Sequence, residues 1–215
     1  VEGFYKTMDN LIEYDGNSGM LNPMADRWEE EVRTGKGKAY GMETDIRYTN
    51  GKTSVDASYT LSWSKRFFPD FHSSWYPDKF DNRHRFSVNI SHKFNERIDV
   101  YASWNYHSGN RMTIPTQLVD APVIPGVEKV NEGMMIYEMP NNVSLPAYHR
   151  LDLGINFRKT TKRGFERIWN ISLYNAYCRM NPLYATVQQN PDGTFVGKAH
   201  GVFPIIPSFS YTLKF

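Results

Sequence analysis

Apolar and polar residues alternate with a period of two in seven separate stretches of this chain, and the last one runs to the final residue. In "IIPSFSYTLKF", Phe209, Tyr211, Leu213 and Phe215 are separated by Ser210, Thr212 and Lys214. A period of two is the mark of a strand with one apolar and one polar face. The same pattern places Tyr40, Met42, Ile46 and Tyr48 opposite Gly41, Glu43, Asp45 and Arg47. It recurs in "TSVDASYTLSWS", "RFSVNISHKF", "IDVYASWNY", "RLDLGINFR" and "WNISL", the last of which loses phase at Tyr174 and Asn175 as if at a bulge. With a less regular opening segment around Phe4 to Tyr14, about eight strands are predicted. No stretch holds a helical period, and abundant Tyr and Phe favour strands. The fold class is all-β.

The connections constrain the arrangement further. Asn50-Gly51-Lys52 and Asn95-Glu96-Arg97 carry the turn chemistry of tight hairpins, and the link from Thr160 to Glu166 is only modestly longer. Between them lie long loops: Asp15 to Glu31, Pro69 to Asn82, Met112 to Pro146 and Asn181 to Pro204. Short and long alternate along the whole chain. In an up-and-down antiparallel sheet this puts every tight turn at one rim and every long loop at the other. A soluble sandwich has no reason to sort its loops, whereas outer-membrane barrels have short periplasmic turns and longer extracellular loops.

Alternation alone leaves open which face is inside. The apolar face carries Tyr40, Tyr48, Tyr59, Trp63, Trp104, Tyr106, Trp169, Tyr211 and Phe215, mostly near strand ends, as aromatic girdles would. The polar face mixes Glu43, Asp45, Arg47, Asp56, Arg85, Asp152 and Arg158, which suits a wet lumen or one packed with a polar plug. No apolar run approaches the roughly 18 residues of a spanning helix. A net charge of only +2 leaves no electrostatic footprint for nucleic acid.

Enzyme signatures are absent. His72, His84, His92, His107, His149 and His200 make no metal-binding pair, Cys178 is the one cysteine, and no nucleophile elbow or phosphate loop occurs. The glycines of "GKGKAYG" lead into a strand rather than a helix, so they form no phosphate cradle. Met134, Met135 and Met139 in the longest loop could hold soft copper, but loop methionines are more often plain apolar contacts. The acidic run Asp26, Glu29, Glu30 and Glu31 reads as a solvated loop. Neither a metal nor a cofactor is expected.

The segments "GKGKAYGMET", "YTLSWSKR", "WYPDKFDNRHRFSV", "YHSGNRMTIP", "PAYHRLDLGINF", "ISLYNAYCRMNP" and "PIIPSFSYTLKF" together resemble, in order and spacing, the C-terminal barrel of TonB-dependent outer-membrane receptors of the Bacteroidota type. The resemblance covers nearly the whole chain. It implies an antiparallel up-and-down transmembrane β-barrel of which this chain would be about eight C-terminal strands, within a barrel of about 22 strands around a plug. The plug, the TonB box and the earlier strands would lie outside this chain, and a start at Val1 fits a processed or truncated protein. Implied too are import of a scarce nutrient (siderophore, haem, oligosaccharide or peptide) and a bacterial outer-membrane location. The implied partners are lipid and lipopolysaccharide, the TonB complex through the N-terminal part, the assembly machinery, a surface lipoprotein and a small nutrient ligand. Phe209, Tyr211 and Phe215 resemble the signal that the assembly machinery reads. A complete eight-stranded membrane barrel with a structural or adhesive role, and a soluble all-β binding module, are the alternative readings.

Ligand contacts are expected on the long loops and upper lumen wall. "FFPDFHSSWYPDKF" concentrates Phe67, Phe68, Phe71, His72, Trp75 and Tyr76, rings suited to stacking on a ligand, to forming the outer girdle or to packing between loops; Phe71, His72, Trp75 and Tyr76 are the candidate contacts. His107 and Arg111 lead into the next loop. Glu43, Asp45, Arg47, Arg85 and Asp152 are expected to line the lumen wall or touch a plug, Arg85 and Asp152 within charge pairs at strand ends.

Overall fold

The computed structural model describes residues 1–14, 32–119, 134–162, 164–191 and 193–215. Eight long strands form the frame: β1 (Glu2–Tyr14), β2 (Val32–Asn50), β3 (Thr53–Phe67), β5 (His84–Asn95), β6 (Ile98–His107), β11 (Tyr148–Thr160), β12 (Glu166–Tyr174) and β15 (Ile206–Lys214). Short strands occupy the connections: β4 (Tyr76–Pro77), β7 (Arg111–Met112), β8 (Gln117–Val119), β9 (Met134–Ile136), β10 (Val143–Ser144), β13 (Pro182–Gln189) and β14 (Phe195–Gly201). No helix occurs among the described residues.

The frame is one antiparallel sheet in the order β1-β2-β3-β5-β6-β11-β12-β15, so each long strand pairs with its neighbours along the chain. This is the meander that the alternating connections predict. The tight turns are adjacent at one rim, where Lys93 N–H donates to Lys52 C=O (2.8 Å) and Arg158 N–H to Arg97 C=O (2.6 Å). Two of these turns have an evident local cause. Gly51 takes φ +53°, which glycine adopts without steric cost. Asn95 Oδ1 accepts from the backbone N–H of Arg97 (2.8 Å) and Ile98 (3.0 Å), the Asx turn that makes Asn a turn residue. The described long connections leave from the opposite rim. The loop expected at residues 15–31, with its acidic run, lies outside the described residues, as do residues 120–133 of the longest loop.

Three features differ from the sequence reading. The phase break after "WNISL" is not a bulge. β12 ends at Tyr174, and Asn175 turns the chain with φ 55°, a left-handed conformation that Asn tolerates well. A register shift lies instead in β1, where Asn10 has φ 55° and the pairing with β2 slips between Met8 and Leu11, and another lies in β5 between Lys93 and Asn95. The stretch from Asn181 to Pro204 is no plain loop but carries the β13–β14 hairpin. There Asn190 N–H donates to Thr194 C=O at 2.8 Å, and Gly193 takes φ +85°.

β1 and β15 are the two edges of the sheet and do not pair with each other. The frame is therefore not a closed eight-stranded barrel. Nor, among the described residues, does a second layer cover its apolar face. Among the described residues the buried hydrophobic side chains are Phe68, Tyr76 and Ile114, and all three lie outside the long strands. On the apolar face, Ile46 is 61% exposed, Ile171 49% and Phe209 62%. A soluble sandwich would instead bury this face against a second sheet.

Candidate functional site

The polar face is built before any loop is added, because strand parity aims every second side chain to the same side. Arg158 donates to Asp99 Oδ1 at 2.7 Å and reaches Glu166 Oε1 at 3.5 Å, while Lys214 Nζ sits 3.3 Å from Glu166 Oε2. Asn156 donates to Asp99 Oδ2 (2.7 Å), and Asn170 donates to Asn156 Oδ1 (2.8 Å) and to Tyr101 OH (3.3 Å). These bonds cross four strands, β6, β11, β12 and β15, on one side. Further along the sheet, Arg47 binds Asp56 Oδ1 at 2.6 Å, and the two flank a groove with Asp45, Ser58 and Asn89. Cross-strand pairs of this kind are where a sheet gains its specificity of register.

Glycines let bulky groups lie flat on this same face. A Cβ on Gly35 would stand 2.5 Å from the Phe68 ring, one on Gly37 2.7 Å from Leu11, and one on Gly154 2.1 Å from Tyr101, while one on Gly41 would meet the Leu61 backbone oxygen first and Phe4 at 3.0 Å. Three of the four lie in "GKGKAYG". Their spacing of two and four is therefore a strand spacing that keeps one face open for neighbouring side chains.

At the loop rim, buried polar side chains staple the connections together. Asp81 accepts from Ser64 N–H (2.8 Å) and Arg83 (3.2 Å), with Arg111 Nε at 3.5 Å. Asp78 accepts from Arg66 Nε at 2.8 Å. Asn82 donates to Ser108 C=O and to Asn110 Oδ1, both at 2.8 Å. Asn141 donates to Pro77 C=O at 2.9 Å, tying the longest loop to β4. Farther round, buried Asn175 donates to Arg179 C=O (2.8 Å) and Phe203 C=O (2.9 Å), and its own N–H reaches Asp152 Oδ1 (2.9 Å). The sequence gives Asp78, Asp81 and Asn82 no stapling role and marks Asn175 only as a phase break, since nothing local distinguishes a stapling Asp or Asn from a turn residue.

Asp81 has the largest predicted effect of these. In Asp81→Ala the half-buried Ser64 N–H and the Arg83 guanidinium lose their acceptor and Arg111 loses its ion-pair partner, at a cost of about 1–3 kcal/mol. In the full-length protein, limited proteolysis should cleave between Phe68 and Arg83 faster in the variant, with the strands intact. An unchanged cleavage rate would remove Asp81 from this role.

The ring cluster predicted from "FFPDFHSSWYPDKF" divides between the two sides of the sheet. Phe71 stacks on buried Phe68 at 5.4 Å, and His72 meets Tyr76 edge-on at 6.3 Å while its Nδ1 faces Ser74. Tyr76 is only 1% exposed, and burial together with the Glu13 carboxylate pushes its phenol well above the ordinary value. Trp75 instead stacks on Phe67 at 5.6 Å, with Lys38 Nζ 4.2 Å from its ring centre. Phe67 and Lys38 share the parity of Trp63 and Tyr40, so Trp75 belongs to the apolar side.

His107 lies parallel to Tyr148 at 4.8 Å, and this starts a short wall on the polar face. Arg150 continues it, 4.2 Å above the Tyr174 ring, donating to Tyr148 OH (2.9 Å), Tyr174 OH (2.8 Å) and Asp152 Oδ2 (2.9 Å). A small pocket of about 50 Å³ opens between Tyr148, Arg150, Tyr174 and Phe203. Arg85 and Asp152 take separate partners. Arg85 faces Asn82 Oδ1 at 3.5 Å, and Asp152 takes Arg150. Glu43 stands directly opposite Glu2 across the β1–β2 pair. Tyr148, Arg150 and Asp152 could have been grouped from the sequence by their shared parity, whereas the partnership with Tyr174 crosses strands. Among the described residues no cluster of His, Cys, Asp and Glu is placed to hold a metal ion.

The apolar side has an order of its own. Tyr5, Tyr40 and Trp63 stack in a row toward the loop rim, and Phe86, Trp104 and Tyr106 form another. Toward the turn rim, Trp169 contacts Tyr211 at 4.5 Å and Phe209 at 5.6 Å. Between the rows lie Ile46, Ala57, Val88, Ala102, Leu153 and Ile171. No protein-family model matches the chain, and neither a curated protein nor a solved structure matches it.

Proposed function

We propose that this chain is the C-terminal part of a large transmembrane β-barrel of the bacterial outer membrane, belonging to a TonB-dependent receptor that imports a scarce nutrient. The observation that carries the membrane part is the apolar face. It spans eight strands, is edged by aromatic rows and, among the described residues, has no covering layer. Soluble monomers rarely expose contiguous apolar patches beyond a few hundred Å², whereas lipid needs such a band between aromatic girdles. Each frame strand has 9 to 19 residues, enough for the roughly 9–11 of a tilted membrane strand. Unpaired edges at β1 and β15 are costly in lipid, which favours further strands closing a larger barrel over a complete barrel of eight.

In this reading the hydrogen-bonded polar face lines the lumen, and the stapled loops stand on the outer surface. A ligand descending from outside meets Phe71, His72, His107 and Arg111 on the polar side. Trp75 belongs to the lipid-side girdle, and Tyr76 packs beneath the loop. The siderophore, haem, oligosaccharide and peptide classes all fit a rim of rings and fixed polar groups. Energy arrives from the TonB complex through the N-terminal part, and Phe209, Tyr211 and Phe215 serve as the assembly signal.

Two measurements on the full-length protein test this. Nitroxides at Ile90 and Ile171 should be relaxed by lipid-soluble oxygen, and those at Ser103 and Asn156 by a water-soluble reagent. Uptake of the nutrient should stop when the TonB complex is removed. Aqueous accessibility at Ile90 and Ile171 would sink the membrane reading, and TonB-independent uptake would sink the receptor reading.

A further inference from the structure

Lys159 and Arg167 stand directly opposite each other in the β11–β12 pair, and parity puts both on the apolar face. Both are exposed. Like charges in directly opposed positions destabilise a sheet, so something should compensate them. Among the described residues, no ion pair includes either one. Their neighbours Arg158 and Lys214 take Glu166 on the polar face, and Glu96 in the adjacent turn pairs with neither. The compensating charge is not in the described part of the fold.

What lies above the pair is ordered. One step along the strands, Phe157 faces Trp169, whose ring contacts Tyr211. One step further, Ile155 faces Ile171 at the edge of an apolar groove of about 390 Å³. The groove exists because Ala102 is small. It sits between Ile90 on one neighbouring strand and Leu153 on the other, and no side chain of the described residues fills the gap. From Lys159 to Ile155 the strand rises about 13 Å, at 3.2–3.4 Å per residue.

We infer that this column seats an anionic phospholipid of the leaflet at the turn rim. Its phosphate lies between Lys159 and Arg167, its ester region beside Phe157 and Trp169, and an acyl chain in the groove over Ala102. Charge complementarity argues for the occupant, since two uncompensated cations and an apolar slot fit an anion joined to a hydrocarbon chain. The zwitterionic alternative brings its own cation toward the pair. The inference rests on the membrane reading above and adds a specific lipid to it.

The test reconstitutes the full-length protein into nanodiscs of equal phosphatidylglycerol and phosphatidylcholine, then measures lipid retained after detergent exchange by mass spectrometry. The wild type should retain phosphatidylglycerol over phosphatidylcholine, and Lys159→Gln/Arg167→Gln should lose most of that preference, about five-fold per basic residue. Ala102→Leu keeps both cations but fills the groove, and should lower total retained lipid even if the double variant fails to insert. Excess inorganic phosphate should release none of it. No preference in an inserted wild type, an unchanged preference in the double variant, undiminished retention in Ala102→Leu or release by inorganic phosphate would each overturn the inference while leaving the membrane reading intact. Failure of the wild type to insert into any bilayer would instead overturn the membrane reading and the lipid seat with it.

Discussion

Arginine in place of Ile171 should cost the full-length protein about 2–4 kcal/mol of folding stability in a bilayer, the cost of a cation near the midplane on the lipid face of a barrel. Ile171 lies opposite Ile155 on one side and Phe209 on the other, one register step from the Trp169–Tyr211 pair. It is already 49% exposed. On the surface of a soluble protein such a site accepts substitution within about 0.5 kcal/mol. The two readings of the apolar face therefore differ by several-fold in energy at one residue. The next residue, Ser172, faces the polar side, and arginine there should cost much less. Denaturant titration of the protein folded into vesicles, followed by its heat-modifiable migration, gives both numbers. Equal costs at Ile171 and Ser172 would deny that the apolar face meets lipid.

Valine in place of Gly154 is the second large effect, and it depends only on the fold. The added Cβ would stand 2.1 Å from Tyr101 Cζ, with Cε1 and the hydroxyl oxygen of the same side chain at 2.4 Å. The ring has little freedom to retreat, because Tyr101 OH accepts from Asn170, which is itself held by Asn156. Overpacking of this kind costs about 1–3 kcal/mol, and the upper half is expected here because the branched side chain would also disturb the Asn170–Asn156 ladder. Adding Tyr101→Ala should recover part of the loss by removing the obstruction, so the two substitutions should be strongly non-additive in the same titration. Additive losses would show that the ring moves aside and that Gly154 is no seat for it.

The sheet itself was legible in the chain. Parity is a local property, so "IDVYASWNY" and "RLDLGINFR" reveal which residues share a face whatever they pair with. Gly51 and Asn95 mark tight turns through their own conformational chemistry, and sorted connection lengths convert those turns into a meander. The terminal strand, ending at Lys214 one residue before the end of the chain, was legible for the same reason. The rim was not. Asp81 reaches Arg111 thirty residues on, Asn141 reaches Pro77 across the loops, and Tyr174 finds Arg150 on the neighbouring strand. Each partnership depends on strand registers and on the path of a long connection, quantities that no short window of sequence contains. Trp75 and Tyr76 are adjacent in the chain, yet one joins the apolar side and the other is buried. The glycines of "GKGKAYG" were legible as leading into a strand, but not that Phe4, Leu11 and Phe68 need the space they leave. What the sequence determined by itself was the alternation of faces, because backbone geometry imposes it residue by residue. Which side chains meet, and hence where the rim is stapled and where a groove stays open over Ala102, was decided only when seven registers and their loops were set together.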